Sequence, residues 1–220
     1  MTEKEMREKF GSADRTELRV FAPDIDVEER AEGDGIGVAR GVGLPYNSWS
    51  DGLPFREKFS PGAFQESIAR GDEVYSFINH NRDNILGRTG NKRLKVIDES
   101  EALRYEVKIP NTSYGADFVE NVRTRNIHGT SIGFIALEDV WGEDEQGYWR
   151  NVTKARLTQI SPEVTPAYSN TDVAMRSLEA FKEESRTKIS EGESDDGEEK
   201  NWGFVDIAEK RLELAKKKAG

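Results

Sequence analysis

Apolar residues along the chain fall in short runs that alternate with polar ones, the period of two that marks half-buried strands. From about Leu18 the runs are "LRVF", "GIGVARGVGLPYN", "EVYSFINH", "LKVI", "ALRYEVKI", "SIGFIALEDVW", "YWRNVTKARLTQI" and "EVTPA", broken by turn-forming residues. Two segments carry helical spacing instead. "PGAFQESIAR" sets a proline near a helix start with Phe64 four residues before Ile68, and "YGADFVENVRTR" spaces Phe118 and Val122 in the same way. The pattern predicts a mainly β, α+β domain. Its expected form is a closed or partly closed antiparallel β-barrel with helices added, rather than a βαβ fold.

The ends differ from this centre. Residues 1–16 are charged and read as a short, poorly anchored helix, and the folded domain is expected over 17–178. Residues 179–201, containing "EESRTKISEGESDDGEEK", are nearly free of large apolar groups and predict a disordered acidic linker. Over 202–220 helical periodicity returns, with Val205, Ala208, Leu212 and Ala215 on one stripe and lysines at the C-terminal end. So short a helix is marginal alone in water and is expected to dock on something.

Composition narrows the function classes. The net charge of −10 and pI near 5.0 argue against a nucleic-acid binder, which needs a basic surface. There is no cysteine and there are two histidines, which removes disulfides, thiolate nucleophiles and His-rich or thiolate metal sites. No apolar run approaches bilayer length and the first residues have no signal-peptide core, so a membrane role is not expected. The glycine cluster "GDGIGVARGVG" fits neither a dinucleotide fingerprint nor a P-loop and reads as a twisted strand. "SDDGEE" lacks calcium-loop spacing.

The chemistry concentrates around "NIHGTSIGF". If this is a strand, Ile132 and Phe134 face the core while Ser131 and Gly133 face the other way. Gly133 would leave the surface beside the hydroxyl open to a substrate backbone. A serine hydroxyl needs a base to become a nucleophile near neutral pH, and imidazole suits the task. His128, three positions away, faces opposite to Ser131 in strand geometry and reads as a turn histidine. His80, where the apolar run "YSFIN" gives way to turn residues, is better placed as general base. A third group must orient that imidazole. "LTQISPEVTPAY" offers Gln159, a neutral acceptor, and Glu163, a charged one. Both share the parity of Ser161. At roughly 3.3 Å per residue they lie about 13 Å apart, which lets one of them reach His80.

In order, "RGVGLPYN", "FREKFSPGAF", "NHNRDNILGRT", "HGTSIGF" and "LTQISPEVTPAY" make the chain from about Leu18 to Arg176 resemble the prohead maturation proteases of tailed bacteriophages, relatives of the herpesvirus assembly proteases. The resemblance implies a barrel of the herpesvirus-protease type, with His80 and Ser131 as the catalytic pair. The family's acidic third member stands where this chain has Gln159, so position favours Gln159 as orienter and keeps Glu163 as the alternative. What is implied is a serine endopeptidase without metal or organic cofactor, working inside assembling procapsids in the host cytoplasm. Its substrates would be the major capsid protein or a scaffold protein, and the enzyme itself. The likeness also allows a homodimer or higher oligomer, and it implies neither nucleic acid nor membrane as partner. The tail would tether the enzyme to scaffold or capsid subunits. Gln159 leaves a rival: a scaffold or assembly protein that keeps the protease fold with weak or no catalysis. A carboxylate-pair hydrolase has no marked pair of acids behind it.

Overall fold

The computed structural model describes residues 16–21, 25–29, 35–50, 53–164 and 175–183. Two sheets carry the fold. The larger joins β1 (Glu17–Phe21), β9 (Gly129–Asp144), β10 (Gly147–Glu163), β5 (Tyr75–Ile78) and β6 (Asn81–Arg88) in that order, and β4 (Arg56–Phe59) pairs with β10 off this path. The smaller has the order β2 (Ile25–Glu29), β3 (Gly37–Pro45), β8 (Ala102–Ile109), β7 (Leu94–Asp98). Pairing is antiparallel except where β10 meets β4 and β5, which run parallel to it. The mainly β, α+β class is as expected. The closed barrel is not formed among the described strands, because the ladders end at β1 and β6 in one sheet and at β2 and β7 in the other.

One core unites the sheets. Ile132, Phe134, Leu157 and Ile160 of the larger sheet share it with Ala39, Leu103, Tyr105, Val107 and Ile109 of the smaller. Burying a side chain of this size stabilises by about 1.5–3 kcal/mol, so β9 and β10, which supply a run of them, form the backbone of the domain. Close approach requires a glycine at Gly41: a β-carbon there would press on the ring and hydroxyl of Tyr105, its partner across β3 and β8. Tyr105 thereby lies across the core, and its hydroxyl meets the Thr130 hydroxyl of β9 at 3.1 Å.

Both expected helices are present with shifted bounds. The first, α1 (Gln65–Arg70), is a short piece that follows a turn through Pro61–Phe64, and it ends at Gly71 with φ +76°. The second, α2 (Ser113–Arg123), begins earlier than its apolar spacing suggests, because Thr112 caps it by accepting the Gly115 amide. Its buried face is Gly115, Phe118, Val119 and Val122. Three strands escaped the sequence pattern: β2 ("IDVEE"), β4 ("REKF") and β6 ("NRDNILGR").

Beyond β10, residues 175–183 are helical. This helix, α3, runs into the stretch read as linker because it has an apolar anchor. Leu178 is buried in a second cluster with Phe55, and Phe181 stacks on Trp141 at 5.7 Å near the tip of the β9–β10 hairpin. The segment 1–15, the linker from residue 184 on and the amphipathic stretch 202–220 lie outside the described residues. No helix among the described residues is long and apolar enough to cross a membrane.

Candidate active site

The site is laid out by the register of β9 on β10. Ser131 pairs with Ser161, Gly133 with Gln159 and Gly129 with Glu163, so these six residues share one face. Thr130, Ile132 and Phe134 occupy the other face, in the core. Ser131 is therefore held from behind: its neighbour Thr130 bonds Tyr105, and Ile132 packs in the core shared with the second sheet. On its outer flank β1 sets Val20 beside Ser131 and Leu18 beside Gly133.

A β-bulge decides which way β10 points its polar residues. Leu157 pairs with Phe134 and Gln159 with Gly133, leaving Thr158 as the extra residue. Leu157 is buried in the core, yet two residues later Gln159 emerges on the opposite face. The bulge reverses the alternation and aims Gln159, Ser161 and Glu163 together at the outer face.

His80 arrives from the next strand over. Asn79 and His80 form the two-residue turn between β5 and β6, with φ +51° and +55°. Two successive positive φ values define a type I′ hairpin turn, a conformation in which Asn is common first and Gly second. His80 stands in the glycine place. Asn79 fastens the turn to β10 by donating its amide to the Pro162 carbonyl (3.0 Å) and accepting the Val164 amide on Oδ1 (2.9 Å). His128 donates its amide to the Glu163 carbonyl from the other side at 3.2 Å.

So fixed, the His80 ring lies along β10. Nδ1 is 3.1 Å from Gln159 Oε1, and Nε2 is 3.0 Å from Glu163 Oε1. The expectation that one of the two reaches His80 is thus corrected. An imidazole presents nitrogens on two sides, and Gln and Glu side chains are long enough to converge on a ring lying between them. The Nδ1 contact is a well-aligned hydrogen bond in which Nδ1–H donates. The Nε2 contact is short but off-line, and both Nε2 and the buried Glu163 Oε2 lack a hydrogen-bond partner of good geometry. Burial by itself depresses the His80 imidazole, but contact with Glu163, then Gln159, and the charge of Glu163 outweigh it. The ring is held above its ordinary value of 6.5.

Ser131 and Ser161 are fully buried, and neither hydroxyl has a hydrogen-bond partner. The space over Gly133 is not open as expected: a β-carbon there would fall on the Cγ and amide of Gln159. The glycine makes room for the amide that holds His80, which replaces its expected part in receiving a substrate backbone. His128 precedes β9 and has its Nδ1 buried without a hydrogen bond. Sequence reasoning missed Asn79 as the clamp. Its signal was "NH" between an apolar strand and a polar one, a two-residue turn with asparagine first. No cluster of acids and histidines able to hold a metal occurs among the described residues.

A buried serine on the strand face whose neighbouring residues hold an imidazole, one ring nitrogen bonded to an amide oxygen, carries the residue types that serine hydrolases use. The chain belongs to the caudovirus prohead serine protease family, which matches residues 24–184. Among solved structures it is similar to the bacteriophage T4 capsid assembly protease gp21, with 9% identity over 68% of this chain and 99% of that one and a TM-score of 0.43. No curated protein matches the chain.

Proposed function

We propose that this protein is the serine endopeptidase of procapsid maturation, with Ser131 as nucleophile, His80 as general base and Gln159 as the group that orients His80. The observation that carries this reading is the Nδ1–Gln159 hydrogen bond of 3.1 Å, made on the strand face that carries Ser131 in a member of a serine protease family. Because Gln159 accepts the Nδ1 proton, Nε2 is the nitrogen left to work on the serine. It takes the Oγ proton as Oγ attacks a peptide carbonyl, and the imidazolium then returns that proton to the leaving amine. Water, deprotonated in turn by His80, clears the acyl-enzyme. A neutral amide fixes the tautomer but cannot stabilise the imidazolium as a carboxylate would, so a lower rate than an acidic third member gives is expected. The substrates are capsid or scaffold segments within the assembling procapsid, and the enzyme's own chain.

The test is intact-mass spectrometry of wild type and Ser131→Ala, each coexpressed with the neighbouring major capsid protein. Truncated products in the wild type alone are expected, and their termini give the specificity. Intact masses in both, with particles still assembling, would favour the second reading, an assembly protein with a silent site. One observation speaks for that alternative: the Ser131 hydroxyl is not hydrogen-bonded to His80.

A further inference from the structure

The structure gives His80 one partner too many. A histidine base needs one nitrogen held by an orienter and the other free for the nucleophile. Here Gln159 holds Nδ1 and Glu163 faces Nε2 at 3.0 Å, while Ser131 Oγ is buried with nothing bonded to it. With its proton on Nδ1, a neutral ring sets an unprotonated Nε2 3.0 Å from a carboxylate oxygen, an off-line but repulsive contact. A proton on Nε2 makes the contact attractive, and a ring carrying both protons cannot take a third from serine. Glu163 is also poorly served without that charge. Its side chain is 10% exposed, and His80 is its charged partner among the described residues.

From this we infer that Glu163 is a resting-state latch: it occupies the Nε2 side of His80 that Ser131 needs, and the site becomes a protease when that carboxylate leaves the ring. The inference rests on the assignment of Ser131 and His80 above and gives Glu163 a role distinct from that of Gln159. The latch is built into the backbone. Glu163 is the last residue of β10, and its position is set by the Gly129 pairing, by His128 N–H to its carbonyl, and by Asn79, which grips Pro162 and Val164 on either side of it. Asn79 is the residue before His80, so one short turn fixes both base and latch. A shift of the end of β10 would release the carboxylate while leaving Gln159, four residues earlier, on Nδ1.

The groups facing His80 are few. Among the described residues the side chains in contact are Gln159, which is neutral, and Glu163, both from β10; the turn neighbours Asn79 and Asn81 are neutral. Glu163 is the charged one in contact. With two histidines in the chain, proton NMR resolves the His80 titration directly.

The experiment compares the full-length wild type with Glu163→Gln and Asn79→Gly. Two readouts are followed from pH 5 to 9: the His80 titration, and the rate at which a fluorophosphonate labels Ser131, with Ser131→Ala as blank. Asn79→Gly keeps a residue at ease with positive φ and removes the Val164 clamp. The expected result is a lower His80 pKa in Glu163→Gln. Labelling near pH 7 should then speed up by about tenfold for each unit the pKa falls from above the working pH, since that is the gain in free base. Asn79→Gly should move both readouts in the same direction. Slower or unchanged labelling of Glu163→Gln would overturn the latch and make Glu163 a supporting acid or a bystander. Absence of labelling in every variant at every pH would instead overturn the protease assignment, and the latch with it.

Discussion

At φ +55° His80 holds a backbone conformation that costs a side-chain-bearing residue about 1–2 kcal/mol and glycine almost nothing. The cost is local, so it can be isolated. His80→Ala and His80→Gly both lose the ring and its contacts, and they differ in backbone freedom. His80→Gly should be the more stable by about 1 kcal/mol in urea melts, the reverse of the usual order of these two residues in strands and helices. A second residue-scale case is Gly133. Alanine there displaces the Gln159 amide and frees Nδ1. Gly133→Ala should therefore slow labelling of Ser131 about as much as Gln159→Ala does, and the double variant should be no slower than either, because both remove one interaction. Additive losses would mean that Gly133 matters for another reason.

Among the elements, β9 and β10 bear most of the design. Their far halves hold a buried ionic cluster: Arg150 contacts Glu17, Glu57 and Asp139, and Arg19 contacts Glu17 and Glu57. It ties β1 and β4 to β10, and through β1 it holds the strand beside Ser131. Glu57 is fully buried between two guanidinium groups. Glu57→Ala takes one carboxylate from each, leaving Glu17 to both and Asp139 to Arg150, and should cost about 1–3 kcal/mol in chemical denaturation. Replacing Glu57, Arg19 and Arg150 together by apolar residues of like volume should cost much less. A loss below 1 kcal/mol for Glu57→Ala would show that water already reaches the cluster. The same elements explain what was legible in the sequence. Alternation marked β3 and β7 through β10, each of which buries apolar residues, and it marked β1 and β5 as well, although β1 buries the charged Glu17 and Arg19. It was silent on β4, whose buried partners are charged, and on β6, whose first half is exposed. Ser131 and His80 could be read because strand direction and a turn placed them. The convergence of Gln159 and Glu163 on one ring could not, since it depends on a β6 turn clamped to the end of β10. The bulge at Thr158, which aims both residues, leaves no mark in "LTQIS".

For the whole molecule, the buried Glu57 and the half-buried His80 bend stability in opposite directions. Burial alone would raise the Glu57 carboxyl, but Arg19 and Arg150 outweigh it and hold it below its ordinary 4.5. Its contribution is present above that value and is lost as pH falls through the lowered one. His80 is raised, so its contribution is complete below 6.5 and fades as pH climbs through the folded-state value. These two terms predict a melting temperature that is highest between about pH 4.5 and 6.5. In Glu163→Gln the decline on the alkaline side should flatten while the acid side is unchanged. An alkaline slope that survives the substitution would place its origin elsewhere.

The shelter that Gly133 gives to Gln159 has a consequence for the family's sequences. A four-atom amide arm lies flat across the β9 backbone and leaves no volume for a methyl group beneath it. An aspartate at position 159 would be one methylene shorter, would stop short of that spot, and would leave a gap that alanine or serine fills. Positions 133 and 159 should therefore change hands as a pair over evolutionary time, with glycine accompanying the long side chain and a bulkier residue the short one.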